Sequence, residues 1–232
     1  MLKKVAILVD GDFFIRRHKS YFKKFKKSNH YKPSPKELAK ALHNHCLKHI
    51  DKNKEELYRI FFYDCKPLNN KAHNPKSNEC IDFVTTETYK ERIELHKCLI
   101  SKPCLALRLG YLDEKSATWI IKDEKKHKKL LSGKITIEDL SDNDYMYYAK
   151  QKGVDMKIGI DIATLALKKL VQKIVLISGD SDFVPASKLA RTEGIIFTLD
   201  PMGNPIKENL QEHIDYLKTT LPRFKKATNS PS

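Results

Sequence analysis

Two short acidic pairs stand where hydrolytic chemistry could be built: Asp10 and Asp12 after Val5–Val9, and Asp180 and Asp182 after Ile174–Ile177. Each follows an apolar, largely β-branched run, which reads as a strand buried on both faces. The carboxyl ends of such strands are where ligands sit in an open α/β sheet. Asp182 could simply cap the helix suggested by residues 183–194, because Asp accepts hydrogen bonds from the free amides of a first turn. That role leaves Asp180 unexplained. A further pair lies in 153–168, where Asp155 begins a helix and Asp161 follows six residues on. Six residues turn a helix through about 600°, so these two do not share a face. One is expected to do chemistry and the other to cap. Carboxylates packed together raise one another's pKa, and a divalent cation removes that cost. Oxygen-only donors select Mg²⁺ or Mn²⁺, and an acidic site of one or two ions suits phosphodiester cleavage.

The elements that must position these acids alternate along the chain. Val5–Val9 predicts a first strand. Ser34-Pro35-Lys36-Glu37 predicts a helix start with Ser as N-cap, Pro at the first position and Glu closing a capping box, the helix running to about Ile50. A strand is expected over Leu57–Tyr63, a polar loop over 66–78, a helix over Glu79–Ile100 and a strand over Cys104–Leu112. Residues 113–152 read as an insertion or lid, with a short strand at Ala117–Ile121, a polar hairpin or helix at 122–134 and a helix over 142–151. Then come the helix from Asp155, the strand ending at Ile177, a helix to Arg191, a strand over Ile195–Leu199, a turn at Asp200 and a last helix over Ile206–Leu217. This alternation predicts a doubly wound α/β fold with a mainly parallel sheet. At 232 residues it is most simply one domain over 1–220, with a flexible tail at 221–232.

Net charge is +15, from 44 Lys plus Arg against 29 Asp plus Glu. Such an excess favours a polyanion, whose condensed counterions are released on binding, although a lysine-rich composition can also serve solubility alone. Residues 1–27 concentrate it, with nine basic residues against two acids. Arg16, Arg17, Lys19, Lys23, Lys24, Lys26 and Lys27 interleave with Tyr21, Phe22 and Phe25, a pattern suited to single-stranded nucleic acid. The five cysteines are odd in number and form no Cys-x-x-Cys pair, which predicts reduced thiols. His45 and His49 share a helix face, but no neighbouring cysteine or carboxylate cluster joins them, and no zinc site is expected. No segment approaches the roughly 18 apolar residues of a membrane helix. The opening apolar run ends in acids and reads as a strand, which points to a cytoplasmic protein. Assembly into a homo-oligomer is left open.

Four motifs carry a resemblance: VDGD at 9–12, KGVDMKIGIDIA at 152–163, VLISGDSDFVPASKLARTEG at 175–194 and DPMGNPIKENLQEHIDYL at 200–217. With these the chain resembles the NYN branch of the PIN-like nucleases, and within it the LabA-like (DUF88) proteins. The resemblance spans both ends and covers 64–150 weakly. It implies a PIN-like, Rossmannoid three-layer sandwich and a metal-dependent ribonuclease acting on single-stranded or structured RNA. Asp10, Asp161 and Asp180 would hold Mg²⁺ or Mn²⁺, and Asp182 would act as a fourth acid. Asp155 would sit near them, with Asp12 and Ser181 in support. One departure is Phe13, where such proteins often carry Asn. The fold also admits a non-catalytic RNA-binding or regulatory member. Asp10-Gly11-Asp12 is similar to the motif of haloacid-dehalogenase-type phosphatases as well, but Phe14 stands where that family has Thr or Val, and Val184 where it has an acid.

Overall fold

The computed structural model describes residues 2–25, 30–206 and 208–222. In chain order the elements are β1 (Lys3–Asp10), α1 (Gly11–Phe25), α2 (Pro35–Leu47), β2 (Glu55–Cys65), β3 (Lys71–His73) and β4 (Cys80–Asp82). There follow α3 (Glu87–Ile100), β5 (Leu105–Ile121), α4 (Glu124–Leu131), β6 (Tyr145–Lys152) and α5 (Val154–Leu167). The chain then forms β7 (Lys173–Ile177), α6 (Val184–Thr192), β8 (Ile196–Asp200), α7 (Glu208–Gln211) and β9 (Tyr216–Leu217). The strands give a mainly parallel central sheet in the order β6-β5-β2-β1-β7-β8-β9, flanked by helices.

The chain divides into two compact units: residues 1–64, 94–109 and 154–232, and residues 65–93 and 110–153. In the first unit β1 pairs in parallel with β2 on one side and β7 on the other, β8 continues beyond β7, and β9 closes that side. Val5 to Val9 and Ile174 to Ile177 are fully buried, as both-face burial of a parallel sheet requires. One face, carrying Val5, Ile7, Val9, Ile60, Phe62, Val175 and Ile177, packs against Phe13, Phe14, Leu38, Leu42, Leu95 and Leu99 of α1, α2 and α3. Ala6 and Leu8 of the opposite parity are equally buried, and α5 contacts β1 and α6 while burying Ile158, Ile162 and Leu165. In α2 both halves of the capping box form: Glu37 N donates to Ser34 Oγ, and the Glu37 carboxylate accepts from Ser34 N.

In the second unit β3 and β4 form an antiparallel pair, and β5 from Gly110 onward pairs antiparallel with β6. The expected insertion at 113–152 lies within this unit. Tyr147 stacks on Phe83 at 5.3 Å and meets Trp119 at 5.4 Å, so its ring serves packing.

Several stretches differ from the sequence expectation: the strands expected over Cys104–Leu112 and Ala117–Ile121 are one strand, β5, and the loop expected over 66–78 contains β3. Residues 11–25, for which no element is expected from the sequence, form α1, because Phe13, Phe14, Ile15 and His18 bury one helix face. The helix expected from Glu79 begins only at Glu87: Asp82 Oδ1 accepts from Val84 N and holds a 3₁₀ turn over Phe83–Thr85. Residues 142–151 give a 3₁₀ turn and then β6, in which half-buried Tyr145 and Tyr147 alternate with exposed Met146 and Tyr148. The last helix shrinks to Glu208–Gln211. Beyond it Asp215 accepts from Phe197 N at 2.7 Å and Arg191 Nε at 2.9 Å, and these bonds hold the following residues extended beside β8.

Gly11 turns β1 into α1 under tight constraint. A Cβ there would lie 2.5 Å from the Tyr63 carbonyl oxygen and 2.6 Å from the Phe62 ring. Gly11→Ala is therefore expected to destabilise the fold by about 1–3 kcal/mol, the usual range for overpacking, read as a lower denaturation midpoint at unchanged m-value.

Candidate active site

β1 lies between β2 and β7, so the chain leaves it toward one side of the sheet and later returns on the other. The crevice beyond the carboxyl ends of strands at such a switch point is the usual ligand position. Asp10 ends β1, and its Oδ1 accepts from Phe13 N at 3.1 Å. Asp180 follows β7. Its amide donates to Ser178 Oγ at 3.2 Å, and its Oδ1 accepts from Asp182 N at 3.0 Å, which caps the 3₁₀ turn Ser181–Phe183. The capping role thus falls on Asp180. Asp182 does not cap α6, whose N-cap, Phe183, makes no side-chain cap bond. Capping occupies one carboxylate oxygen of Asp180 and leaves the other for chemistry. Ser181 opens the same turn. Phe13, in place of the family's frequent Asn, is buried and packs on Gly179, where an added Cβ would lie 2.6 Å from its ring.

Electrostatics tie the acids together. Burial raises the Asp10 carboxyl to about 6, and the charges of Asp12 and Asp155 push the same way, against the Phe13 amide and Arg16. Asp155, at the start of α5, is raised by burial and then by Asp180 and Asp182. Asp10, Asp12, Asp155, Asp180 and Asp182 therefore lie in one negative field. Carboxylate oxygens are the donors a hard divalent cation takes, but among the described residues no three of these acids bring ligand atoms within 4.8 Å of one another.

Asp161 is engaged differently. Its Oδ2 accepts from the Tyr63 hydroxyl at 2.7 Å and from Arg108 Nε at 3.3 Å. Burial and the Asp161 carboxylate push the Tyr63 phenol well above its usual range, so it remains a donor. The sequence reading set Asp161 on the metal and Asp155 beside it. Here Asp155 is the residue coupled to Asp10, Asp180 and Asp182, and Asp161 stands about 9 Å further along the helix axis.

Of the basic residues, Arg16, Lys23 and Lys24 are exposed on α1 and Lys19 is half-buried. Arg16 Nε pairs with Asp12 at 3.1 Å. Arg17 Nη2 donates to the Met202 carbonyl at 2.8 Å, which ties α1 to the turn after β8. Lys26 and Lys27 lie outside the described residues. Phe22 meets His18 at 4.4 Å and Tyr31 at 5.9 Å, so it packs within an aromatic group of the fold.

A second polar group escaped the sequence reading. His45 and His49 of α2 both direct Nε2 at Asp200 Oδ2, at 2.7 and 2.9 Å, and all three are buried. Their donor atoms lie within 4.8 Å of one another, so the group could hold a metal ion. Burial would raise the Asp200 carboxyl, but the bonds from the two imidazoles outweigh it and hold the group below its usual range. The histidine spacing was visible in the sequence. The carboxylate, 151 residues beyond His49, was not.

All five cysteines are free thiols, and among the described residues no helix is long and apolar enough to cross a membrane. The structure is similar to that of a protein of unknown function from Vibrio parahaemolyticus RIMD 2210633, at 12% identity over 93% of this chain and 91% of that one, with a TM-score of 0.43. Among curated proteins none matches. The NYN domain model matches residues 86–217, more than half of the chain, including α5, the Asp180 turn and Asp200. By that match the chain belongs to the NYN domain family, of the PIN-like nuclease superfamily.

Proposed function

We propose that this protein is a divalent-metal-dependent ribonuclease of the LabA-like (DUF88) kind, hydrolysing phosphodiester bonds of single-stranded or structured RNA in the cytoplasm. The observation that carries the reading is the half-buried Asp10 carboxyl at the sheet's switch point, which burial and the charges of Asp12 and Asp155 raise to about 6. That concentration of charge is unfavourable unless a cation neutralises it. Asp10, Asp155 and Asp180 would hold Mg²⁺ or Mn²⁺, with Asp182 beside them. When bound, such an ion supplies acidification of the attacking water and neutralisation of charge on the phosphate.

The chain's own residues do the rest. Phe13 packs on Gly179 and fixes the Asp180 turn against α1. Asp161 joins Tyr63 to Arg108, which orients a half-exposed guanidinium over Phe61 where it can meet a phosphate. Exposed Arg16, Lys23 and Lys24 and half-buried Lys19 supply positive charge along α1 for the RNA backbone. The phosphatase alternative gains nothing, since Phe14 is core and Val184 begins α6.

The test is cleavage of a labelled single-stranded RNA and a structured RNA in Mn²⁺, Mg²⁺ or EDTA, with Asp180→Asn purified in parallel to control for contaminating nuclease. Cleavage by the wild type alone, abolished by EDTA, is expected, and the product ladder separates endo from exo attack. Salt-sensitive binding of RNA without cleavage would replace this reading with a non-catalytic RNA-binding protein.

A further inference from the structure

We propose that His45, His49 and Asp200 form a buried binding site for one borderline transition-metal ion of the Zn²⁺ class, separate from the acidic site and independent of the hydrolase reading. Two imidazoles four residues apart lie on one face of α2, and both Nε2 atoms converge on a single oxygen, Asp200 Oδ2, at 2.7 and 2.9 Å. Two nitrogen donors and one carboxylate oxygen select Zn²⁺ or Co²⁺ over the Mg²⁺ or Mn²⁺ that an all-oxygen set prefers. Tetrahedral bonds of about 2.0–2.1 Å place ligand atoms roughly 3.3 Å apart, so a small expansion admits the ion.

Hydrogen bonding around His45 supports the assignment. Thr220 Oγ1 lies 3.0 Å from His45 Nδ1 and 3.1 Å from the His45 carbonyl oxygen. A bond at Nδ1 fixes the ring from its far side and keeps Nε2 directed at Asp200 Oδ2. A second ring nitrogen bonded to a fixed oxygen is how metal-bound histidines are oriented. The other oxygen, Asp200 Oδ1, accepts from Met202 N at 2.8 Å, which fixes the carboxylate with Oδ2 toward the imidazoles.

The probe is Co²⁺, titrated into chelator-stripped full-length protein and followed by visible d–d absorption, then displaced with Zn²⁺. One equivalent with tetrahedral intensity is expected in the wild type and unchanged in the Asp10→Asn/Asp180→Asn chain, with Zn²⁺ raising the melting temperature of both. His49→Gln is expected to abolish the band, and Thr220→Val to weaken Co²⁺ about 10-fold by releasing the His45 ring. The wild-type and acidic-site variants decide the question even if His49→Gln fails to fold. The proposal is overturned if the wild type shows no tetrahedral band, or if the band disappears with Asp10 and Asp180. Without the band, direct hydrogen bonds from the imidazoles to Asp200 account for the cluster.

Discussion

Asp155→Asn and Asp180→Asn are each expected to lower RNA cleavage at least about a thousandfold, whereas Asp161→Asn costs about tenfold or less. The contrast follows from where α5 directs its two acids. Asp155 at the helix start responds to Asp180 and Asp182 and acts on Asp10, so it contributes to the field that a cation must balance. Removing a carboxylate from such a site removes charge stabilisation, for which losses of about 10²–10³ per lost preorganised group are typical, with a further loss where metal affinity falls. Asp161 already accepts two hydrogen bonds, and asparagine keeps an acceptor for the Tyr63 hydroxyl while releasing Arg108. Its effect should therefore appear in KM for RNA and in salt dependence more than in kcat. The check is single-turnover cleavage across a Mn²⁺ titration. If Asp161→Asn matches Asp155→Asn in maximal rate, Asp161 belongs on the metal and the division between the two acids fails.

The fold was legible where local chemistry and long-range packing agree. Ile174–Ile177 is apolar throughout because a central parallel strand is covered on both faces, and Ser34 to Glu37 satisfy their own helix end without tertiary help. Where the deciding partner is remote, the sequence was silent or misleading. Nothing near Tyr216 announces that Asp215 will bind Phe197 N and Arg191, so a helical pattern was carried through a segment that becomes β9. Charge hid α1, because its lysines and arginines mask the buried face of Phe13, Phe14 and Ile15. The acids were visible as types and positions. Which of Asp155 and Asp161 faces the others depends on where α5 docks on the sheet, and no periodicity within the helix states that. The cap shows the same limit: the sequence offers Asp182 as the cap, yet a 3₁₀ turn over Ser181–Phe183 moves the cap two residues earlier, and Asp180 both caps and stays in the acidic field.

In EDTA at pH 7–8, Asp10→Asn should be more stable than the wild type, by about 1–3 kcal/mol. The carboxyl has a folded pKa of about 6, above the 3.8 of an unperturbed aspartate, with burial as the largest cause. A group raised in the folded state favours folding while protonated, and that contribution is lost as pH rises through the folded pKa. Above about pH 6 the wild type therefore carries an ionised, partly desolvated carboxylate, and a displacement of about two pKa units corresponds to roughly 3 kcal/mol before solvent screening. Asparagine removes the charge while its Oδ1 still accepts from Phe13 N, so the helix start is kept. The stability gap between the two chains should close as pH falls from about 6 toward 4, where the wild-type carboxyl is protonated in the fold. Adding Mg²⁺ or Mn²⁺ at pH 7.5 should close it from the other side, by stabilising the wild type alone. Urea denaturation of both chains at pH 4.5 and 7.5, with and without the cation, gives all four comparisons. Equal stability at pH 7.5 in EDTA would mean that water already relieves Asp10, and its place at the switch point would then give no reason to expect a cation.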